Sequence, residues 1–337
     1  MNNNNLILII SFIFLFYIKS FALSPNDSLN LKAYSGAWIS YHSPSGLKAY
    51  NAAILDAFFS HKFTEPIFID IAVRATNLIY QPFFEEVCAG YKSNKILLKA
   101  GMISKHIGRA AFYKEFSVFN SYIRNSAVWD SYGFGFNFDK FLSFGKVSLL
   151  GSINQKENGN ACLIFNITKA QKIYQNFLIG IQTQELNTND NAFVVGDDFY
   201  LLLEIFNFHF AAKYMQYQGW GNKTIMPGYE WEILTECKII PFRFLILSGL
   251  LNWQEFNKAY YTNTLKLGAD IQWNTFKWLG FYAGGEYLKC LNTKTYCPQL
   301  GISVFPNKNI LFRIGYESTI VENALINRGI GILWLEY

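Results

Sequence analysis

Apolar and polar residues alternate along many short segments of the chain. The alternation is clearest in the ranges 67–77, 229–237 and 264–274, where nearly every second residue is apolar and most of the others are polar or charged. In the last range the apolar positions are Leu265, Leu267, Ala269, Ile271 and Trp273. A period of two predicts β-strands with one apolar and one polar face. Each run has about the length of a strand that crosses a membrane at a tilt.

The same pattern continues along the chain and predicts a single antiparallel sheet. We count about eighteen strands, or about sixteen if two weak neighbouring runs are one strand. Short turns are predicted at 92–94, 139–140, 207–208, 274–277 and 306–309. Longer polar segments are predicted at the alternate junctions: 43–49, 104–127, 185–197, 218–228, 254–261 and 318–327. Short periplasmic turns and longer external loops are typical of a transmembrane β-barrel.

The composition supports this fold class. Charged residues make up 16% and aromatic residues 18% of the 337 residues, whereas a typical soluble domain has about 25% charged residues. After residue 22 there is no uninterrupted apolar run of the roughly 20 residues that a membrane-spanning helix needs. These features favour an all-β transmembrane barrel with aromatic girdles at both membrane surfaces. A soluble secreted β-protein is the alternative that composition leaves open.

The first 22 residues form a separate unit. Leu6–Ile18 is a nearly continuous apolar stretch, and Ser20-Phe21-Ala22 follows it as a small–x–small cleavage pattern. We interpret 1–22 as a cleaved signal peptide; an uncleaved anchor helix is the alternative, for which the stretch is short. No linker or change in composition follows. Residues 23–337 are therefore predicted to form one barrel domain in a bacterial outer membrane.

The longest predicted loop, 104–127, joins the fifth and sixth strands. In general porins the loop at this place folds into the lumen and narrows it, and we expect an inward-folding loop here. The segment is basic, so that a narrowing there would favour anions. An ordinary solvated external loop is the alternative. The predicted constriction residues are Lys105, His106, Arg109, Lys114, Glu115 and Arg124.

Two segments carry a resemblance to a known family. In the run 97–108, LLKAGMISKHIG, a strand containing Gly101 leads into the basic loop. Further on, Glu204 precedes the tight turn predicted at 207–208, and a returning strand carries Lys213. These features resemble the phosphate-selective porin O/P superfamily, and the resemblance implies a β-barrel pore that prefers anions. A basic ladder for phosphate is not evident in the sequence, which favours a general pore.

Charged residues on the polar faces of the predicted strands are expected to line the lumen. A Lys or Arg that faced lipid at mid-bilayer would cost about 2–4 kcal/mol, which places Arg74 and Lys266 inside. Cross-strand pairing that only hydrates the channel is the alternative role for most of these residues. The predicted lumen-lining residues are Asp70, Arg74, Lys99, Lys146, Glu230, Glu232, Lys266, Asp270, Glu286, Arg313 and Arg328.

The cysteines and histidines add little chemistry. No pair of the five cysteines has C-x-x-C spacing, so that a zinc or redox site is not predicted. Cys290 and Cys297 flank a short polar stretch and would form a disulfide across a hairpin, with two free thiols as the alternative. The four histidines occur without a G-x-S-x-G, H-E-x-x-H or P-loop pattern. We expect no enzymatic activity, no metal and no cofactor.

The sequence thus predicts a porin through which small hydrophilic solutes and ions diffuse passively, with a weak anion preference. A structural or adhesive surface barrel without transport is the alternative. The chain ends in an alternating run in which Tyr337 shares a face with Leu333 and Leu335, and we expect the barrel-assembly machinery to bind this strand. The other expected partners are outer-membrane lipid, small solutes or anions, and two further copies in a homotrimer, with a monomer left open. No nucleic acid is expected.

Overall fold

A computed structural model describes residues 27–42, 46–64, 66–76, 83–107, 129–153, 159–169, 172–184, 190–219, 228–257, 261–307, 310–321 and 324–336. Within these ranges the chain forms eighteen β-strands. The described residues include no helix that is long and apolar enough to cross a membrane.

The strands are as follows: β1 (Asp27–His42), β2 (Gly46–Thr64), β3 (Ile67–Thr76), β4 (Phe83–Lys92), β5 (Ile96–Ile107), β6 (Trp129–Leu142), β7 (Gly145–Ile153), β8 (Gly159–Lys169), β9 (Ile173–Gln184), β10 (Asp190–Leu202), β11 (Phe206–Gly219), β12 (Gly228–Phe242), β13 (Leu245–Asn257), β14 (Tyr261–Phe276), β15 (Leu279–Cys290), β16 (Thr293–Asn307), β17 (Ile310–Val321) and β18 (Ala324–Glu336).

Each strand pairs antiparallel with the strands that precede and follow it in the sequence. The first strand also pairs with the last, because residues 32–42 of β1 stand opposite 326–336 of β18. The sheet therefore returns on itself as a barrel. The prediction of an all-β antiparallel barrel is confirmed, with eighteen strands rather than sixteen.

An even number of strands places the start of β1 and the end of β18 on one side of the barrel, which we name the terminal side; the opposite side is the loop side. The terminal-side turns are short, as expected, but several are displaced. The turn predicted at 139–140 lies at 143–144, and the one predicted at 207–208 lies at 203–205. In the first case the polar pair 139–140 is part of β6, where Asp139 accepts a hydrogen bond from Lys146 Nζ at 2.6 Å.

On the loop side the strands continue further than predicted. The polar segment 254–261 narrows to 258–260, and 318–327 narrows to 322–323. Polar side chains here bond across strands: Tyr229 donates to Glu255 at 2.9 Å and Trp253 Nε1 donates to Asn263 at 3.1 Å. The prediction of long loops is therefore wrong for these two segments, because their polar residues lie in strands and extend the antiparallel pairing. The interval between β5 and β6, 108–128, lies outside the described residues.

The two faces of the sheet differ as the period of two predicts. In β14 the side chains of Leu267, Ile271 and Trp273 are exposed on the outside, whereas Asp270 and Gln272 between them are buried on the inside. Directly opposite residues in neighbouring strands share a face, so this assignment extends from strand to strand around the barrel. The outer wall is apolar, and much of the inner wall is polar.

Aromatic side chains gather on the outer wall at the terminal-side ends of β12–β15. Phe242 stacks on Phe244 with ring centroids 5.2 Å apart, and Phe244 lies 6.4 Å from Trp273. Phe276 and Trp278 stack at 5.7 Å around the next turn. Rings at strand ends are typical of the girdle that a membrane barrel places at the headgroup level.

Candidate pore lining

Three cationic side chains on the inner wall each lie between two carboxylates. The first is Lys99 in β5, whose Nζ lies 2.9 Å from Asp70 in β3 and 2.6 Å from Glu86 in β4. Cys88 Sγ donates to Glu86 at 3.2 Å. Asp70, Glu86 and Cys88 have ligand-type atoms within 4.8 Å of one another, but the ammonium group of Lys99 is already bound to both carboxylates.

The second cation is Lys213 in β11, which contacts two glutamates of β12. Its Nζ lies 2.7 Å from Glu230 and 3.3 Å from Glu232. Neutral donors complete the group, because Tyr217 donates to Glu230 at 3.0 Å and Asn252 donates to Glu232 at 3.1 Å. This buried group is well supplied with hydrogen-bond donors, as buried charges require.

The third cation is His209 in β11, which is fully buried. Its Nδ1 lies 2.7 Å from Glu236 in β12 and its Nε2 lies 2.9 Å from Asp198 in β10. We assign His209 as an imidazolium, because protons on both ring nitrogens allow it to donate to two carboxylates. The ring of Tyr200 stacks on it at 4.1 Å with an interplanar angle of 3°. Asn176 donates to the other oxygen of Asp198 at 3.0 Å.

The alternation of apolar and polar residues did not indicate that these side chains meet. Glu86, Asp198, His209 and Lys213 were not assigned to the lumen. For Asp198 and His209, the contact depends on where the turn between β10 and β11 lies. A turn at 207–208 places His209 beside that turn, whereas the observed turn at 203–205 places it opposite Tyr200. The inward periodicity of Glu230 and Glu232 in β12 was visible in the sequence.

An arginine on the inner wall packs against an aromatic ring. The guanidinium of Arg313 lies over the ring of Tyr282 at 4.7 Å, and its Nε donates to Ser303 at 3.0 Å. The Tyr282 ring lies flat across the backbone of Gly301 and Gly315, and a β-carbon at either glycine would overlap it. Arg313 is only 2% exposed, so its charge is largely shielded.

We expect Gly315→Ala to lower the free energy of unfolding by about 1–3 kcal/mol, as overpacking typically does. The added methyl group would displace the Tyr282 ring from its place under Arg313. Urea unfolding in lipid vesicles, followed by tryptophan fluorescence, measures the change. Gly329→Ala is the matched control, since a β-carbon there meets nothing within 4 Å. Equal stability of the two variants would contradict the packing role of Tyr282.

The remaining predicted lining residues are distributed as follows. Lys146 pairs with Asp139 at 2.6 Å, Asp270 is buried, and Lys266 and Glu286 are half-buried on the inner face of β14 and β15. Arg74 stands opposite Asp56, and Arg328 stands opposite Glu317 and Ser40. The side chains of Arg74 and Arg328 lie outside the described residues.

The predicted constriction falls mostly outside the described residues. Lys105 and His106 belong to β5, opposite Ser131 and Asp130, so the strand continues past the predicted loop start at 104. Their side chains are not described, and neither are Arg109, Lys114, Glu115 and Arg124.

The inner wall is not polar throughout, which the strict alternation did not predict. An apolar cluster covers the inner face of β4–β11, mostly toward the loop side. Its members are Cys88, Ile103, Ile107, Leu150, Cys162, Ile164, Leu178, Ala192, Val194, Met215 and Tyr217. Where an inward residue such as Leu150 or Leu178 is apolar, the outward residues beside it in the sequence are apolar as well. The alternation of apolar and polar residues is then lost.

The predicted disulfide is wrong. Neither Cys290 nor Cys297 forms a disulfide. Cys290 ends β15 opposite Thr293, whereas Cys297 stands opposite Glu286, four residues back along β15. This offset is greater than a disulfide can span. Cys297 Sγ instead lies 3.6 Å from the Thr319 hydroxyl.

No protein-family model matches the sequence, and no curated protein matches it. Solved structures do. OccAB4 of Acinetobacter baumannii superposes with a TM-score of 0.59 at 10% identity, over 93% of this chain and 100% of that chain. An anion-selective porin from Comamonas acidovorans gives 0.58 at 9% identity, over 92% and 100%. The trimer form of OmpT, an outer membrane protein of Vibrio cholerae, gives 0.58 at 7% identity, over 92% and 99%.

The chain has the fold of an outer-membrane β-barrel. At these identities the likeness concerns the fold, and it covers nearly the whole described wall. The exposed apolar outer face of the barrel is accordingly the face toward lipid. The charged groups of the inner wall lie on the side away from lipid.

Proposed function

We propose that the barrel is a porin through which small hydrophilic solutes and ions diffuse passively. The observation that carries the proposal is a ring of eighteen strands with an apolar outer wall and ionic groups on its inner wall. A ring of about 16–18 strands leaves an aqueous channel, whereas one of about eight strands is filled by its own side chains. Solutes would cross down their gradients without a covalent step.

Two contributions of opposite sign would set the charge preference. The three groups centred on Lys99, His209 and Lys213 each place two carboxylates around one cation, so that each leaves an excess of negative charge. The segment 104–127 is basic. We propose a weak anion preference, set by this segment as the narrowest part of the lumen, because charge at a constriction acts on ions at the shortest range.

Single-channel recording in planar bilayers tests transport itself. We expect conductance steps of constant size when the refolded barrel is added. A folded barrel that inserts and stays silent would contradict the pore and favour a structural or adhesive surface barrel.

Changing Lys105, Arg109 and Lys114 together to Gln should reduce the anion preference, since three positive charges leave the segment. The reversal potential in asymmetric salt should shift in the direction that indicates a higher relative permeability to cations. The control is Lys289→Gln, which removes one exposed lysine from β15 and should leave the reversal potential unchanged. An unchanged reversal potential in the triple variant would remove these residues from the selectivity filter.

We further propose that the barrel assembles as a homotrimer, as the trimer form of the OmpT structure suggests for this fold. Outer-membrane lipid would surround the assembly. The C-terminal strand β18 would be the element that the assembly machinery binds.

A further inference from the structure

One carboxylate interrupts the apolar outer wall of β10. Asp197 faces outward in the series Phe193, Val195, Asp197, Phe199 and Leu201, and it stands opposite Phe177 and Ala212 in the neighbouring strands. Its outward-facing neighbours along β10 and directly across the two adjacent strands are therefore apolar. Its position is seven residues after the start of β10 and five before its end, well inside the wall.

The depth of Asp197 distinguishes it from the other charged residues of the outer wall. In the described strands, the other acidic, basic and histidine side chains that face outward lie within three residues of a strand end, where headgroups and water are within reach. They are His61, Lys140, Lys169, Glu255, Lys289 and Lys294. An ionised group on the lipid face becomes more costly toward the bilayer centre, and ionisable residues at such depth usually have a partner.

Within the barrel itself Asp197 has a neutral partner. Gln175 Nε2 lies 3.1 Å from one carboxylate oxygen and 3.2 Å from the other. An amide satisfies a lone pair but leaves the negative charge in place. No lysine or arginine in the described part of the wall forms an ion pair with Asp197. Lipid tails offer neither charge nor hydrogen bonds, whereas the outer wall of a second copy offers both.

The cation that fits lies on β6. Lys140 faces outward, is exposed, and stands two residues before the end of β6. Its side chain has no hydrogen bond or ion pair to the residues that the structure describes. Its flexible stem can follow an apolar surface while the ammonium reaches a charged partner. Lys140 can therefore reach toward Asp197, which lies five residues before the terminal-side end of β10.

The angular separation of these two positions suits a ring. Asp197 and Lys140 are four strands apart in a ring of eighteen, which is about 80° around the barrel. The two contact points of a subunit are separated by about 60° in a ring of three and about 90° in a ring of four, and a contact between two different patches generates such rings. The value is too large for a two-fold dimer, in which the same patch meets itself.

We propose that Asp197 of one copy pairs with Lys140 of the next, so that the outer wall from β6 to β10 is the subunit interface of the homotrimer. The inference rests on the proposed trimeric porin and locates its contact surface. The polar pair Asp197–Gln175 then faces protein rather than lipid, where interhelical or interstrand hydrogen bonds act as specific contacts.

Native mass spectrometry of the refolded barrel in detergent tests the interface. Wild type is expected to be trimeric, and Asp197→Leu and Lys140→Met are expected to be monomeric. Glu255→Leu is the matched control: it removes an outward carboxylate near the loop-side end of β13 and should leave the trimer intact. The exchange variant, Asp197→Lys with Lys140→Asp, should recover trimers, which a general folding defect would not allow.

The shift of the folded barrel on an unheated gel shows that each variant is folded. Trimers that persist in folded Asp197→Leu or Lys140→Met, or a wild type that is monomeric, would overturn the interface. Conductance separates this result from the fate of the pore: a monomeric Asp197→Leu that still conducts leaves the proposed function standing, whereas a silent wild type removes that function whatever its oligomeric state.

Discussion

Replacing His209 by leucine should lower the free energy of unfolding by about 3–5 kcal/mol, the usual cost of breaking a buried ion pair by removing one partner. Asp198 and Glu236 would be left buried without the imidazolium that lies between them. The side chain of Glu236 is completely buried, so water cannot replace the lost charge. Urea unfolding of the barrel in lipid vesicles, followed by tryptophan fluorescence, measures the loss.

A neutral version of the same group serves as the control. Asp198→Asn, His209→Leu and Glu236→Gln together remove all three charges, and the triple variant should be more stable than His209→Leu alone, because neutral groups cost much less to bury than unpaired carboxylates. A His209→Leu barrel that unfolds with wild-type stability would show that the three groups are not coupled.

An arginine placed on the outer wall should lower the free energy of unfolding, and the loss should be larger at positions deeper in the bilayer. Leu267 lies near the middle of β14, faces outward and is exposed. Leu267→Arg should lower the free energy of unfolding by about 2–4 kcal/mol, because the charge would enter the bilayer centre. Phe276→Arg, at the terminal-side end of the same strand, should lower the free energy of unfolding by only about 0–1 kcal/mol, because the charge would lie near the membrane surface.

The two variants share a strand, a face and a substituted residue, so their difference reports depth. Unfolding titrations in vesicles of one lipid composition measure it. Equal costs at the two positions would mean that the face carrying Leu267 does not lie in hydrocarbon, and the assignment of outer and inner walls would then be wrong.

Local periodicity is sufficient to predict the barrel and its approximate strand number. In β14 the alternation of Leu267, Ile271 and Trp273 with polar residues is visible because the outer face meets an apolar environment and the inner face is polar. The side of each residue follows from its parity alone. Strand class and face were therefore predictable wherever the inner residues are polar.

The groups of the inner wall were not predictable in the same way, because they depend on register across strands. The contact between His209 and Asp198 requires the turn at 203–205. Moving a hairpin turn changes which residues face each other and can move a side chain to the opposite face. Polarity near a strand end was misleading, since Asp139 lies in β6 as the partner of Lys146 rather than in a turn.

The apolar inner cluster and the free cysteines illustrate the same limit. Leu178 lies inside with Phe177 and Ile179 outside, so that the sequence shows a continuous apolar run without an evident face. Cys290 and Cys297 are close in sequence, but the two-residue turn at 291–292 sets them four positions out of register. Such positions follow from tertiary pairing and not from spacing in the sequence.

The contact between β1 and β18 has a consequence for how the barrel comes to exist. Its eleven residue pairs join segments from opposite ends of the polypeptide, whereas every other pair of strands is a local hairpin. Local hairpins form early and distant contacts form late, because the entropy of closing a long loop must be overcome first. Until β18 pairs with β1, the sheet has two edge strands with unpaired backbone N–H and C=O groups. These edges can pair wrongly with other chains. We therefore expect the pairing of β1 with β18 to be the last step that closes the ring.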